Sequence, residues 1–140
     1  PMVMGTGGNC SSQSSTMVIR GLALGEIRFK DFFKVLFKEL RIALVTGTAL
    51  ALVNAVRVYL MYGRNQEVLS QVGIGRLALI SGLSLIGTVT LAKCIGCILP
   101  MLAKKCRLDP AIMAAPLLST ILDTCSVLIF FNIAKAFLGL

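Results

Sequence analysis

The chain has 140 residues, 56% of them hydrophobic and only 14% charged, and its mean hydropathy is +0.88. A water-soluble domain of that length covers its core with far more charge, so the composition excludes one and calls for several membrane spans on short connections. The net charge of +8 raises the question of nucleic-acid binding, but aromatics are only 6% and the basic residues gather at the edges of apolar runs. That pattern follows membrane topology rather than a phosphate-tracking stripe, and no nucleic-acid partner is expected.

In chain order, the first segment is Met2 to Leu24. It is long enough to cross a bilayer, but its first half is "GTGGNCSSQSST", glycine and polar residues. No charged start followed by an apolar run marks a signal peptide. Residues 1–24 are therefore expected to form a part-span, in a fragment whose preceding membrane segment is absent. Next comes "EIRFKDFFKVLFKELR", residues 26–41, with Phe29, Phe32, Phe33, Leu36, Phe37 and Leu40 at helical spacing on one face. Lys30, Lys34, Lys38 and Arg41 fall on another, which predicts an amphipathic helix lying along the membrane interface, lysines among anionic headgroups. Three longer apolar runs follow, at about 42–62, 77–102 and 112–138. Each reaches the roughly 20 residues that a membrane-crossing helix needs. Gly47 with Ala51, and Gly82 with Ser81 and Ser84, are expected to let helix backbones approach closely. The expected fold is all-α: a single transmembrane domain built as a polytopic helical bundle, with an interfacial helix between its first two membrane segments.

Loop charge sets the orientation. Arg20, Arg28, Lys30, Lys34, Lys38 and Arg41 form one basic region, and Lys104, Lys105 and Arg107 form another two spans later. The intervening loop holds only Arg64 and Arg76. The positive-inside rule puts residues 20–41 and 103–111 on the cytoplasmic side of a plasma or inner membrane, with the C-terminus outside. The five cysteines do not suggest a disulfide framework. Cys94 and Cys97 form a CxxC inside an apolar run with no second pair and no histidine, and read as small packed side chains rather than a zinc site.

Charged groups within spans demand a partner, water or a function. Asp123 lies about 11 residues into the last span, or about 17 Å of rise, near the midplane. Asn9 lies a similar distance from Arg20 along its own segment and reaches a similar depth. Glycines around Asn9 would allow a bent or unwound backbone whose carbonyls, with one carboxylate, could hold a hard cation. Magnesium keeps most of its waters and suits so sparse a set of ligands, and two Asp123 carboxylates on the axis of a symmetric dimer would double the charge. Cys10 and Cys125 are near enough in sequence to leave a softer ion open. Lys93 is expected either to snorkel to the inner surface or to pair with Asp123, and Arg57 to snorkel outward. Asp109 before Pro110 reads as a helix cap, or as acid that recruits cations at the cytoplasmic mouth.

The motifs "GTGGNCSSQSSTMVIRGLALGEI", "KEL", "LP" at 99–100, "LDPA" at 108–111 and "PLLSTILDT" at 116–124 follow one another as in the membrane domain of MgtE-type magnesium channels and transporters. The sequence resembles that family over essentially its whole length, covering the last four of five transmembrane helices. The resemblance implies a homodimer with a magnesium pathway on its interface. Asp123 would be the pore aspartate and Asn9 the pore asparagine, with backbone carbonyls of Gly5 and Ser119 facing hydrated magnesium. Asp109 would match an acidic position at the cytoplasmic end that helps bind regulatory Mg2+. Full-length members usually carry N-terminal cytoplasmic regulatory domains, and Lys93 departs from the residue expected at its position. No phosphate-binding loop, nucleophile–base pair or metal-hydrolase motif suggests an enzyme. The expected function is passive passage of magnesium down its electrochemical gradient. The alternatives are transport of another divalent cation such as cobalt or zinc, or a membrane scaffold that transports nothing.

Overall fold

The computed structural model describes residues 2–63, 73–109 and 116–139, with the side chains of 116 and 117 excepted. Among these residues the chain forms four long helices: α1 (Met2–Ala23), α2 (Phe32–Tyr62), α3 (Ile74–Lys105) and α4 (Pro116–Leu138), with a 3-10 turn at Phe29–Asp31 before α2. Three segments, Phe29–Tyr62, Ile74–Lys105 and Leu118–Leu138, are long and apolar enough to cross a membrane. The all-α bundle expected from sequence is what forms.

Two expectations about local structure are corrected. First, residues 32–41 are not a separate interfacial element but the opening turns of α2, which runs unbroken for 31 residues. No glycine or proline interrupts the chain between Phe32 and Thr46, so nothing stops the helix at the expected boundary. At 1.5 Å per residue α2 is about 46 Å long, and its excess over a hydrocarbon core of about 30 Å reaches into the headgroup layer. The aromatic face also divides. Phe32, Val35 and Leu36 pack on the buried cluster Val18, Leu22, Cys97 and Met101, whereas Phe29, Phe33 and Phe37 point outward.

Second, α1 is not unwound around its glycines. The hydroxyls of Thr6, Ser11, Ser12 and Thr16 bond back to carbonyls three or four residues earlier, and the small side chains let the helix lie close against its neighbours. A Cβ on Gly7 would sit 3.0 Å from Thr88 Cγ2 and 3.1 Å from Ser126 Oγ; one on Gly96 would sit 2.5 Å from the Ser11 carbonyl oxygen. Without a strong hydrophobic force between helices in lipid, such close approach is a main source of their attraction. Tertiary contact keeps helical a segment whose composition alone favours unwinding.

α3 is the central helix and packs against α1, α2 and α4. It runs antiparallel to α2: Gly47 faces Ile86, Gly82 faces Ala51, and Asn54 Nδ2 donates to Ser81 Oγ at 2.8 Å. It runs parallel to α1, and at their common end Lys104 Nζ donates to the Leu22 carbonyl at 2.8 Å. The small-residue contacts expected at Gly47, Ala51 and Gly82 are therefore made. α1 leaves this end through Gly25, whose φ of +74° is a left-handed conformation that only glycine adopts at little cost. The Ile27 amide then closes the turn on the Gly21 carbonyl at 3.1 Å. Pro100 lies inside α3, and its missing N–H leaves the Gly96 carbonyl without its intrahelical donor.

Candidate ion pathway

α1 and α4 run antiparallel and touch through the smallest residues of α1. Gly7 lies against Leu122 and Ser126, and a Cβ on Gly8 would be 3.6 Å from Ser119 Cβ. Gly5 and Asn9 flank this contact along α1, and Asp123 stands one turn beyond Ser119 on α4. The structure thus brings the regions of Gly5, Asn9, Ser119 and Asp123 to one helix–helix border. Leu118, Leu122 and Ser126 form the buried row of α4, while Ser119 and Asp123 are half-buried at its edge. Gly5 and Asn9 are exposed. The carbonyls of Gly5 and Ser119 belong to regular helices, so a cation would share them with the helix ladder rather than meet them freed.

The outward stripe is longer than the sequence suggested. Gln13 and Thr16 continue Asn9 along the exposed face of α1 toward Arg20, and Thr120 and Thr124 are exposed beside Asp123 on α4. Sequence spacing held the signal, since 9, 13, 16 and 20 recur at one helical face, but only packing reveals which face is left uncovered. Among the described residues no three of His, Cys, Asp and Glu gather into a metal cluster. A single copy therefore offers a thin set of oxygen donors, compatible with a cation that keeps its water. Cys10 is buried and Cys125 half-buried, and all five cysteines are free thiols. Asp109 is exposed after the end of α3. The expected Asp109–Pro110 cap and the start of the last span fall on 110–115, outside the described residues.

Lys93 neither snorkels nor meets Asp123. Its Nζ lies 3.1 Å from Glu39 Oε2 and donates to Ser14 Oγ at 3.2 Å, while Ser14 Oγ donates to the same Glu39 oxygen at 2.7 Å. Both charged side chains are more than nine-tenths buried, at 7% and 2% exposure. α1 supplies Ser14 and α2 supplies Glu39 to Lys93, and with a carboxylate within reach of its ammonium there, the inner surface offers nothing better. Sequence reasoning missed Glu39 by assigning its segment to the interface. The available signal was its register: Phe32, Val35, Glu39 and Ala43 form one inward row. The partner of Lys93 is thus Glu39, and Asp123 lies apart from this pair.

Comparison with known proteins identifies the family of the chain. The family model described as "MgtE: Divalent cation transporter" matches residues 1–133. The chain is 32% identical over 138 residues to a magnesium transporter MgtE of Thermus thermophilus, covering 99% of this chain and 28% of that protein. It is 33% identical over 138 residues to a magnesium transporter MgtE of Bacillus subtilis, again covering 99% and 28%. A magnesium transporter MgtE of Enterococcus faecalis is 31% identical over 137 residues, covering 98% and 28%. The chain thus spans a little over a quarter of the length of these relatives, whose names describe transporters and not enzymes. With three membrane-length helices and this match along nearly its full length, the chain is a multi-pass membrane protein that belongs to the MgtE divalent cation transporter family.

Proposed function

We propose that this chain forms the pore-bearing part of a magnesium transporter. Two copies would enclose a path along which hydrated Mg2+ moves passively down its electrochemical gradient. The observation that carries this reading is the exposed polar stripe of α1, Asn9, Gln13 and Thr16, beside half-buried Asp123 on α4. Polar and ionised groups at membrane depth face protein or water rather than lipid, so this side of the bundle requires a covering that supplies one or the other. A second copy related by a two-fold axis does so and brings two Asp123 carboxylates toward one path. Asp123 is then the principal electrostatic partner of the ion. Asn9 and the carbonyls of Gly5 and Ser119 accept hydrogen bonds from its water shell, which magnesium gives up reluctantly. Asp109 would contribute to a regulatory magnesium site at the cytoplasmic mouth.

The magnesium assignment is supported by the names of the relatives, and the orientation by basic residues at one end of the bundle. Arg20 ends α1 and Lys104 and Lys105 end α3, and the Lys104 contact with Leu22 joins those ends. On the positive-inside rule that end is cytoplasmic and the C-terminus lies outside a cell membrane. The test is Mg2+ uptake into liposomes containing the protein or Asp123→Asn, with Co2+ and Zn2+ as competing cations. Uptake should fall to background in the variant while its assembly is unchanged. Wild-type uptake by Asp123→Asn would overturn the pathway, and preference for Co2+ or Zn2+ would overturn the choice of ion.

A further inference from the structure

At the basic end of the bundle, the last turn of α1 and the first turns of α2 enclose a cleft of about 360 Å³. Met17, Gly21, Ile27 and Val35 form its apolar floor, and Arg20 and Lys38 stand at its rim with Glu26. A groove of about 700 Å³ adjoins it along α2, sharing Ile27, Val35 and Lys38 and adding Lys34, Arg41 and Phe37. Arg20, Lys34, Lys38 and Arg41 are all exposed, and no ion pair ties any of them down among the described residues. Of the two acids beside them, Asp31 already accepts the Arg28 amide at 3.1 Å, which leaves Glu26 against four cations.

We infer that this cleft is a binding site for the headgroup of an anionic phospholipid, with Arg20 and Lys38 on the phosphate and an acyl chain along the groove. Three features choose a lipid over another anion. The cations rim an apolar floor rather than a polar basin, so the occupant needs a charged end and an apolar end. The groove is lined by Phe37, which is 61% exposed on the outward face of α2. The overhang of α2 beyond the hydrocarbon core puts these turns at headgroup level. A polybasic site at such a surface gains about fivefold in affinity for each lysine or arginine engaged. The inference does not depend on which ion the protein carries.

The test measures the thermal unfolding midpoint of the full chain in neutral detergent, with phosphatidylglycerol, phosphatidylcholine or soluble glycerophosphate added. Phosphatidylglycerol should raise the midpoint saturably, and the other two should not. In Arg20→Gln/Lys38→Gln the concentration giving half the shift should rise at least tenfold. In Lys105→Gln/Arg107→Gln, at the same end but away from the cleft, it should not change. Native mass spectrometry of the single variant Lys38→Gln supplies a second readout, with fewer phosphatidylglycerol molecules retained. Equal stabilisation by phosphatidylcholine would overturn the charge recognition, and a response to glycerophosphate would replace the lipid with a free phosphate ester. Equal loss from both double variants would reduce the site to a diffuse surface field, and no lipid response at all would overturn the site itself.

Discussion

Replacing Lys93 by methionine isolates the energetics of the buried pair. At 3.1 Å the Coulomb attraction is about 5 kcal/mol for an effective dielectric constant of about 20. Desolvation of two ions that are both more than nine-tenths buried offsets most of that gain, so the pair as a whole adds little to stability. Its disruption is a different matter. Lys93→Met leaves Glu39 at 2% exposure with the Ser14 hydroxyl as its remaining donor, and an orphaned buried charge costs about 3–5 kcal/mol. Glu39→Gln should cost a similar amount by orphaning Lys93. The double variant Glu39→Gln/Lys93→Met removes both charges and should recover to within about 1 kcal/mol of wild type, far short of the sum of the single losses. Reversible unfolding of the four proteins in detergent micelles measures this cycle directly. Additive losses would refute the reasoning, because they would mean that the two groups do not depend on one another.

Three other outcomes follow from the packing. Gly96→Ala drives a methyl group against the Ser11 backbone and should cost about 1–3 kcal/mol in the same unfolding assay, whereas Gly5→Ala meets nothing within 4 Å among the described residues and should gain up to about 1 kcal/mol of helix propensity. Among the described residues Ser15 Oγ is buried without a hydrogen-bond partner, so Ser15→Ala should stabilise by about 1 kcal/mol; Ser14→Ala removes a bond to a charged group and should destabilise by about 2 kcal/mol. Mg2+ should raise the thermal midpoint of the wild type, by an amount equivalent to about 2.7 kcal/mol at one hundred times its dissociation constant, and leave Asp123→Asn unmoved. Identical titrations for the two proteins would separate any magnesium effect from Asp123.

Asp123 and Asn9 stand out in the linear sequence because polar groups inside apolar segments are rare and costly, and counting helical rise was enough to give them a similar depth. Their surroundings were less legible. Glycine and serine in α1 favour bending in isolation, yet Gly7, Gly8 and Ser11 are the points where α3 and α4 come closest, and that contact keeps the helix regular. Glu39 looked like one charge on an interfacial helix. Its burial could be recognised only by placing α2 against α1 and α3, where Ser14 and Lys93 wait for it.

What the sequence alone determined is the solvent and the architecture. Long runs of apolar residues require lipid, and in lipid the backbone satisfies itself only within helices or closed barrels. Basic clusters and a carboxylate at mid-span are equally properties of order along the chain. Tertiary structure decided the partners: which carboxylate neutralises Lys93, which face of α1 is covered, and which polar row stays open beside Asp123. Helical periodicity fixes the angle between side chains on one helix, but the rotation of each helix against its neighbours is set by contacts between residues far apart in sequence. Ser14, Glu39 and Lys93 come from three different helices, and only their packing assembles them.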